Sequence, residues 1–169
     1  MEHFYQDIQG MMDYEDLYSD MVQKFNDGSH FIELGVWYGR SSAYMCTEIM
    51  NSKKAIRFDA VDNFLKSPIE RAQRLESKFP FYRVVQSHTA HAALFYANDS
   101  LDFVFVDADH SAHGVSMDIL AWLPKIKIGG VIAGHDYENP RYPELKTAVD
   151  NLLPQAKKVS TMSWYYEKR

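Results

Sequence analysis

The sequence predicts an α/β fold: one domain on a doubly wound, mainly parallel sheet of seven strands, with an antiparallel strand at its C-terminal edge. Three observations carry this expectation. From Phe31 onward, short apolar runs alternate with helix-compatible stretches, the pattern of β/α units around a parallel sheet. One run, Ser100-Leu101-Asp102-Phe103-Val104-Phe105-Val106-Asp107, has the apolar centre of a strand buried on both faces. At 169 residues and 46% hydrophobic content, the chain can bury one sizeable core but not two. Residues 1–29 are expected to form an N-terminal helical segment before an α/β domain spanning 30–169.

In the first 29 residues, Met11, Met12, Leu17, Met21, Val22 and Phe25 recur at loosely helical spacing up to the stop signal Asn26-Asp27-Gly28. One or two helices are expected there. They either cover a sheet edge or, through Tyr14 and Tyr18, help close a substrate pocket. Phe31, Ile32 and Leu34 mark the first strand, and Ser41–Met50 the helix after it. The polar break Asn51–Lys54 leads into a second strand, Ala55–Asp62. Lys66–Phe79 reads as a surface helix closed by Pro80, and Phe81–Val85 as the third strand. After the strand at 100–107 come a helix from Val115 to Leu123 and a fifth strand, Val131–Ala133, introduced by Pro124 and Gly129-Gly130. Pro143–Leu153 is helical. Ala156–Thr161 and Ser163–Glu167 are strands close enough to pair as an antiparallel edge. No linker, repeat or low-complexity segment interrupts the pattern.

The bulk numbers narrow the partners. A net charge of −5 without a long basic run argues against nucleic acid or an anionic membrane and favours a small molecule. No apolar run approaches the ~20 residues needed to span a bilayer. The single cysteine, Cys46, cannot form an intrachain disulfide, and Met1–Asp7 has neither the basic nor the apolar part of a secretory signal, so a cytoplasmic protein is expected. The apolar and aromatic N-terminal segment makes a homodimer plausible.

The chain is organised around His30–Ser42. A short strand reaches Glu33, then passes through Gly35 and Gly39 into a helix. Gly35 permits a sharp turn and Gly39 a close approach by ligand or sheet, while the free N–H groups of the helix start attract a carboxylate or phosphate. A tight turn without ligand is the other reading. The spacing, Glu-x-Gly-x-x-x-Gly-x-Ser, is not the Gly-x-Gly-x-x-Gly of a dinucleotide site. Glu33-Leu34-Gly35-Val36-Trp37-Tyr38-Gly39-Arg40-Ser41 resembles motif I of the class I S-adenosylmethionine (SAM) methyltransferases, in the version of catechol O-methyltransferase and its relatives, which implies a Rossmann-like sheet. The resemblance implies that Glu33 sits near the amino group of the methionine moiety, and that Gly35, Gly39 and Ser41 shape the loop and hold its carboxylate. Trp37 and Tyr38 either flank the cofactor or pack in the core.

Asp62 ends the second strand 23 positions after Gly39, about the separation at which doubly wound sheets place a ribose-binding acid. A solvated strand-end acid is its alternative, and Asp59 is a weaker candidate within the strand. The resemblance places Ser87 and His88 on the adenine side; His91 is expected on a helix surface.

A second constellation lies where open α/β sheets bind ligands, outside the carboxyl ends of strands. Asp107 and Asp136 end the fourth and fifth strands, and His110 follows the first by three positions. Two carboxylates with water or substrate oxygens suit a hard cation such as Mg²⁺, which lowers the pKa of a bound hydroxyl, and His110 could take the proton. Alternatively Asp107 is a strand-end cap, Asp109 a helix N-cap and His110 a hydrogen-bonded first-turn residue. His113 and His135 are second-sphere partners or ordinary loop histidines. Asp107-Ala108-Asp109-His110, Gly129-Gly130 and Gly134-His135-Asp136-Tyr137 resemble metal-dependent O-methyltransferases of the macrocin O-methyltransferase family, which act on sugar hydroxyls. That resemblance implies Mg²⁺ on Asp107 and Asp136 and His110 as base. Catechol O-methyltransferase has Asp-Asn at the second site; here Tyr137 follows Asp136, so that Asn ligand is missing. The implied activity is Mg²⁺-assisted O-methylation of a small sugar or aromatic diol by SAM. Its rivals are a nucleotide-dependent enzyme on a similar sheet and a non-catalytic SAM-binding module.

Overall fold

Parallel strands that end along one edge bring loops distant in sequence side by side, so strand order decides which residues can meet. The computed structural model describes residues 1–169. Its strands are β1 (His30–Leu34), β2 (Arg57–Asp62), β3 (Tyr82–Gln86), β4 (Leu101–Val106), β5 (Ile126–Gly134), β6 (Lys157–Lys158) and β7 (Trp164–Glu167). They form one seven-stranded sheet in the order β3-β2-β1-β4-β5-β7-β6. β1 to β5 are mutually parallel, and β7 runs antiparallel to both β5 and β6. The doubly wound sheet and its antiparallel C-terminal strand are therefore as expected. β7 lies one place inside the edge, and β6 closes it with two residues rather than the run 156–161. Lys157 and Lys158 are exposed there, and charge on a short edge strand discourages further pairing.

β5 begins at Ile126, five residues before the strand that the sequence suggests, and runs through Gly129-Gly130. The β4–β5 register shifts between Leu101 and Phe103, which lets the strand continue past the glycines.

Helices cover both faces. Against one lie α1 (Glu15–Lys24), α2 (Arg40–Ser52) and α3 (Ile69–Glu76); against the other lie α4 (Thr89–Ala92), α5 (Ala112–Trp122) and α6 (Pro143–Leu152). β4 feeds both cores, with Phe103 and Phe105 on the first side and Val104 and Val106 on the second, as its apolar run requires. α3 is shorter than the stretch 66–79, because Pro68 precedes its first turn.

α1 buries Leu17, Tyr18, Met21 and Val22, and Tyr14 just ahead of it is buried too. The Lys54 ammonium donates to the carbonyls of Val22, Gln23 and Phe25 and so caps its C-terminal end. Met11, expected on the apolar stripe, is exposed, because the helix begins only at Glu15. The chain before it makes one 3₁₀ turn, Tyr5–Asp7, fastened where the Arg40 guanidinium donates to the Ile8 carbonyl at 2.9 Å.

Asp59 is committed within the sheet. Its buried carboxylate accepts hydrogen bonds from His30, Arg83 and Tyr96; burial alone would raise its pKa, but these donors outweigh it and hold it at about 2. It is not at the ligand edge.

Asp118 on α5 is the opposite case. It is 1% exposed and neither carboxylate oxygen has a hydrogen-bond partner. Burial raises its pKa to about 6. Between the ordinary value of 3.8 and about 6, the folded chain holds a proton that the unfolded chain has released, so stability falls as pH rises through that window and is flat above it. The cost at pH 8 is about 3 kcal/mol. Asp118→Asn is therefore expected to stabilise the protein by that order at pH 8 and hardly at pH 4. Urea denaturation at both pH values checks this; an equal shift at the two would contradict it.

Candidate active site at the switch between β1 and β4

The sheet order reverses between β1 and β4, the place where doubly wound sheets open a crevice for ligands. The two loops leaving these strands touch. Asp107 N–H donates to the Leu34 carbonyl at 2.8 Å, while on the other side Gly35 N–H donates to the Val61 carbonyl of β2 at 2.9 Å. At Gly35 (φ +91°) a Cβ would lie 2.1 Å from the Asp107 carbonyl oxygen, so no side chain fits. Gly39 (φ +83°) turns the chain into α2 at its N-cap position.

The residues expected at the cofactor lie along this edge at different depths. Glu33 is 1% exposed, beneath the loop, and accepts hydrogen bonds from Tyr18 Oη at 2.8 Å and from Ser42 Oγ. Burial raises its pKa to about 7, and donation from Ser41, Ser42 and Tyr18 limits the rise. Ser41 is buried in the first turn of α2. Asp62 braces the loop: one carboxylate oxygen accepts from Val36 N–H (2.8 Å) and Trp37 N–H (3.0 Å), the other from Phe64 N–H (2.7 Å). Trp37 sits at φ +50° with 45% of its surface exposed, and Tyr38 is half-buried; Trp37 is thus outside the core. Ser87, half-buried, donates its N–H to the Asp62 carbonyl, and exposed His88 precedes α4. His91 is exposed on α4, as expected.

Beside this loop, Asp107, His110 and Asp136 converge, with one ligand atom from each within 4.8 Å of the others. His110 Nε2 lies 3.5 Å from Asp107 Oδ1 and 3.2 Å from Asp136 Oδ2, and its ring is 4.6 Å from that of Tyr142. The Asp107 carboxylate raises the His110 pKa above the ordinary value, against an opposing effect of burial, and Asp136 adds to the rise. Asp136 is buried at φ +61°, a conformation Asp tolerates better than most residues. Its burial would raise its pKa, but His135 and Asn139 outweigh this and lower it.

His135 belongs to the cluster. Its Nδ1 is 3.5 Å from Asp136 Oδ1 and 3.9 Å from Asp107 Oδ1, while Nε2 bonds Asp13 at 2.8 Å. Burial pulls its pKa down, but Asp136, Asp107 and Asp13 together raise it to about 9. Asp109 does not cap α5: the N-cap is Ser111, whose hydroxyl accepts from Gly114 N–H, and Asp109 bonds Ser111 N–H instead. His113 is exposed on α5.

A family profile described as "Methyltransferase domain" matches residues 32–137, more than half of the chain and all of the edge from Glu33 to Asp136. The chain belongs to this methyltransferase family. Its methyl donor is SAM. No curated protein sequence matches it. Among solved structures, the O-methyltransferase NovP superposes with a TM-score of 0.74 at 15% identity, covering 91% of this chain and 78% of NovP. CalS11, described as a TDP-rhamnose 3′-O-methyltransferase of calicheamicin biosynthesis, gives 0.69 at 13% identity, covering 90% and 76%. Aeropyrum pernix fibrillarin, solved with natively bound SAM, gives 0.63 at 12% identity, covering 89% and 73%. At these identities they show the shared fold.

In this methyltransferase the carboxylates of Asp107 and Asp136, whose oxygens lie within 4.8 Å of each other and of a His110 ring nitrogen, fit a small divalent cation that takes oxygen ligands. Besides the Asp13 contact to His135, two contacts to the cluster carboxylates are absent from the sequence reading. Tyr14 Oη donates to Asp107 Oδ2 at 3.2 Å, and Asn139 Nδ2 to Asp136 Oδ1. Tyr14 carries only a pocket-closing signal, and Asn139 lies two residues beyond Gly134-His135-Asp136-Tyr137.

The contact between the loops makes Gly35→Ala a direct check. A Cβ against the Asp107 carbonyl, at positive φ, is expected to lower stability by at least ~2 kcal/mol. Chemical denaturation measures this; an unchanged midpoint would show that the two loops are not in contact.

Proposed function

We propose that this methyltransferase transfers the methyl group of SAM to a hydroxyl of a small molecule, a sugar or aromatic diol, with a divalent cation such as Mg²⁺ at Asp107 and Asp136 and His110 as general base. The observation that carries the reading is the meeting of Asp107, His110 and Asp136 directly beside the motif I loop. The O-methyltransferases NovP and CalS11 on the same fold, the latter described as acting on a nucleotide-linked sugar, support the substrate class. The net charge of −5 speaks for a small-molecule acceptor and against nucleic acid or a membrane surface. No helix is long and apolar enough to cross a membrane. A cytoplasmic setting accords with the single buried thiol, Cys46. A homodimer stays part of the proposal. Residues 30–169 form the catalytic domain and 1–29 its N-terminal helical segment.

In this reading the methionine end of SAM lies over Gly35–Ser41, its carboxylate on the start of α2 and its amino group above the buried carboxyl of Glu33. Asp62, fixed by three backbone N–H groups, offers its remaining lone pairs to the ribose. Ser87 and His88 flank the adenine. Asp107 and Asp136 would hold the divalent ion, which would supply Lewis acidity for hydroxyl deprotonation and offset the carboxylate charge around His110. His110 removes the hydroxyl proton. The oxygen attacks the methyl carbon as the carbon–sulfur bond breaks, leaving an ether, S-adenosylhomocysteine and a proton on His110. Tyr142 beside His110 gives the acceptor a flat wall, and positioning supplies much of the rate.

Calorimetric titration with S-adenosylhomocysteine, with NAD as control, is expected to show saturable binding of the first alone. His110→Ala is expected to keep that binding and to lower turnover of a diol by ~10²–10⁴-fold. Unchanged turnover would remove the base assignment, and no binding of S-adenosylhomocysteine would remove the cofactor site.

A further inference from the structure

The two strand-end carboxylates are each held by a neutral donor, one from the N-terminal segment and one from the loop after β5. Asp107 has Oδ2 tied by the Tyr14 hydroxyl at 3.2 Å, while Oδ1 faces His110 Nε2 at 3.5 Å. Asp136 has Oδ1 tied by the Asn139 amide, while Oδ2 faces the same nitrogen at 3.2 Å. Each carboxylate therefore has one oxygen held by a neutral donor, shared at Asp136 Oδ1 with His135 Nδ1 at 3.5 Å, and the other directed at His110. Both donors are themselves fixed. Tyr14 is buried with its ring 4.6 Å from that of Phe105, and the Asn139 side-chain oxygen accepts Arg141 N–H at 3.0 Å.

A carboxylate with one oxygen tied offers the other as a single ligand atom. Mg²⁺ and Mn²⁺ accept this, because a small ion in octahedral geometry takes one oxygen per carboxylate and keeps several waters; Ca²⁺ takes more ligands and gains from bidentate carboxylates. We infer that Tyr14 and Asn139 are positioning residues that hold Asp107 and Asp136 in one-oxygen presentation and so set the site's preference for a small divalent ion over Ca²⁺. The inference rests on the metal reading above and adds the determinant of ion choice. It also gives the N-terminal segment a part in the site.

The test measures ion affinity, with no need for an acceptor. Mn²⁺ and Ca²⁺ are titrated separately into the wild-type protein, Tyr14→Phe and Asn139→Ala, with S-adenosylhomocysteine binding and thermal melting followed on each. The wild type is expected to bind Mn²⁺ more tightly than Ca²⁺. Each variant is expected to lose 10–100-fold in Mn²⁺ affinity, the usual effect of removing a partner of a metal ligand, and less in Ca²⁺ affinity, so the ratio narrows. Tyr14→Phe keeps the buried ring, and Asn139→Ala changes a loop, so either serves if the other melts early. Wild-type binding with the Mn²⁺ to Ca²⁺ ratio unchanged in both variants would overturn the positioning role and leave the metal site standing. Failure of the wild type to bind either ion would overturn the metal site and the inference with it.

Discussion

The contact between the ends of β1 and β4 is the constraint on which the rest of the edge depends. A parallel pair delivers two loops to the same place, and here the backbone of one lies where a side chain of the other would be. Glycine at position 35 removes the clash, and the Asp107-to-Leu34 hydrogen bond closes the gap. The loop that suits a cofactor and the loop that carries Asp107 and His110 thus become one surface. Methyl transfer needs donor and acceptor in line within a short distance, and a rigid backbone contact provides that more surely than side chains on flexible loops.

Charge is the second organising feature. Asp107, Asp136 and Asp13 surround His110 and His135, and the carboxylates raise the pKa of both imidazoles, that of His135 to about 9. Without an ion, the proton that His135 holds partly neutralises the cluster. A divalent cation would therefore compete with protons for the same carboxylates, the usual coupling between metal affinity and pH. The buried charges elsewhere follow a different rule. Asp59 is met by three donors and stays ionised, whereas Asp118 has no partner and holds its proton more strongly.

How far this was readable in the sequence depended on whether the signal was local. The apolar run of β4, the Gly35–Gly39 turn and the strand-end acids could be read because periodicity and glycine spacing report nearest-neighbour requirements. The β/α alternation then fixed which strand ends share an edge, so Asp107 and Asp136 could be paired across 29 positions. What escaped were partners chosen by tertiary packing. Nothing around Asp62 says that its oxygens hold the backbone of Val36, Trp37 and Phe64. Nor does spacing show that Ser111 rather than Asp109 caps α5, since both are good caps two positions apart. β6 was overestimated because pairing along an edge depends on the neighbouring strand, and Ser160, Thr161 and Met162 lie in the turn towards β7.

The N-terminal segment shows why a local reading understates a helix. By sequence α1 is an amphipathic element of a kind that often only covers a sheet. In the structure Tyr14 and Tyr18, one helical turn apart on the buried side, place two phenol groups on two acids of neighbouring strands: Tyr14 on Asp107 at the end of β4, and Tyr18 on Glu33 in β1. Leucines there would fill similar volume and leave both acids with one donor fewer, at a cost of ~1–3 kcal/mol for each group left short. A tyrosine serves both needs, with an apolar ring for the core and a hydroxyl that reaches the edge of the site. The segment preceding the sheet is in this way bonded to the acids on both sides of the crevice.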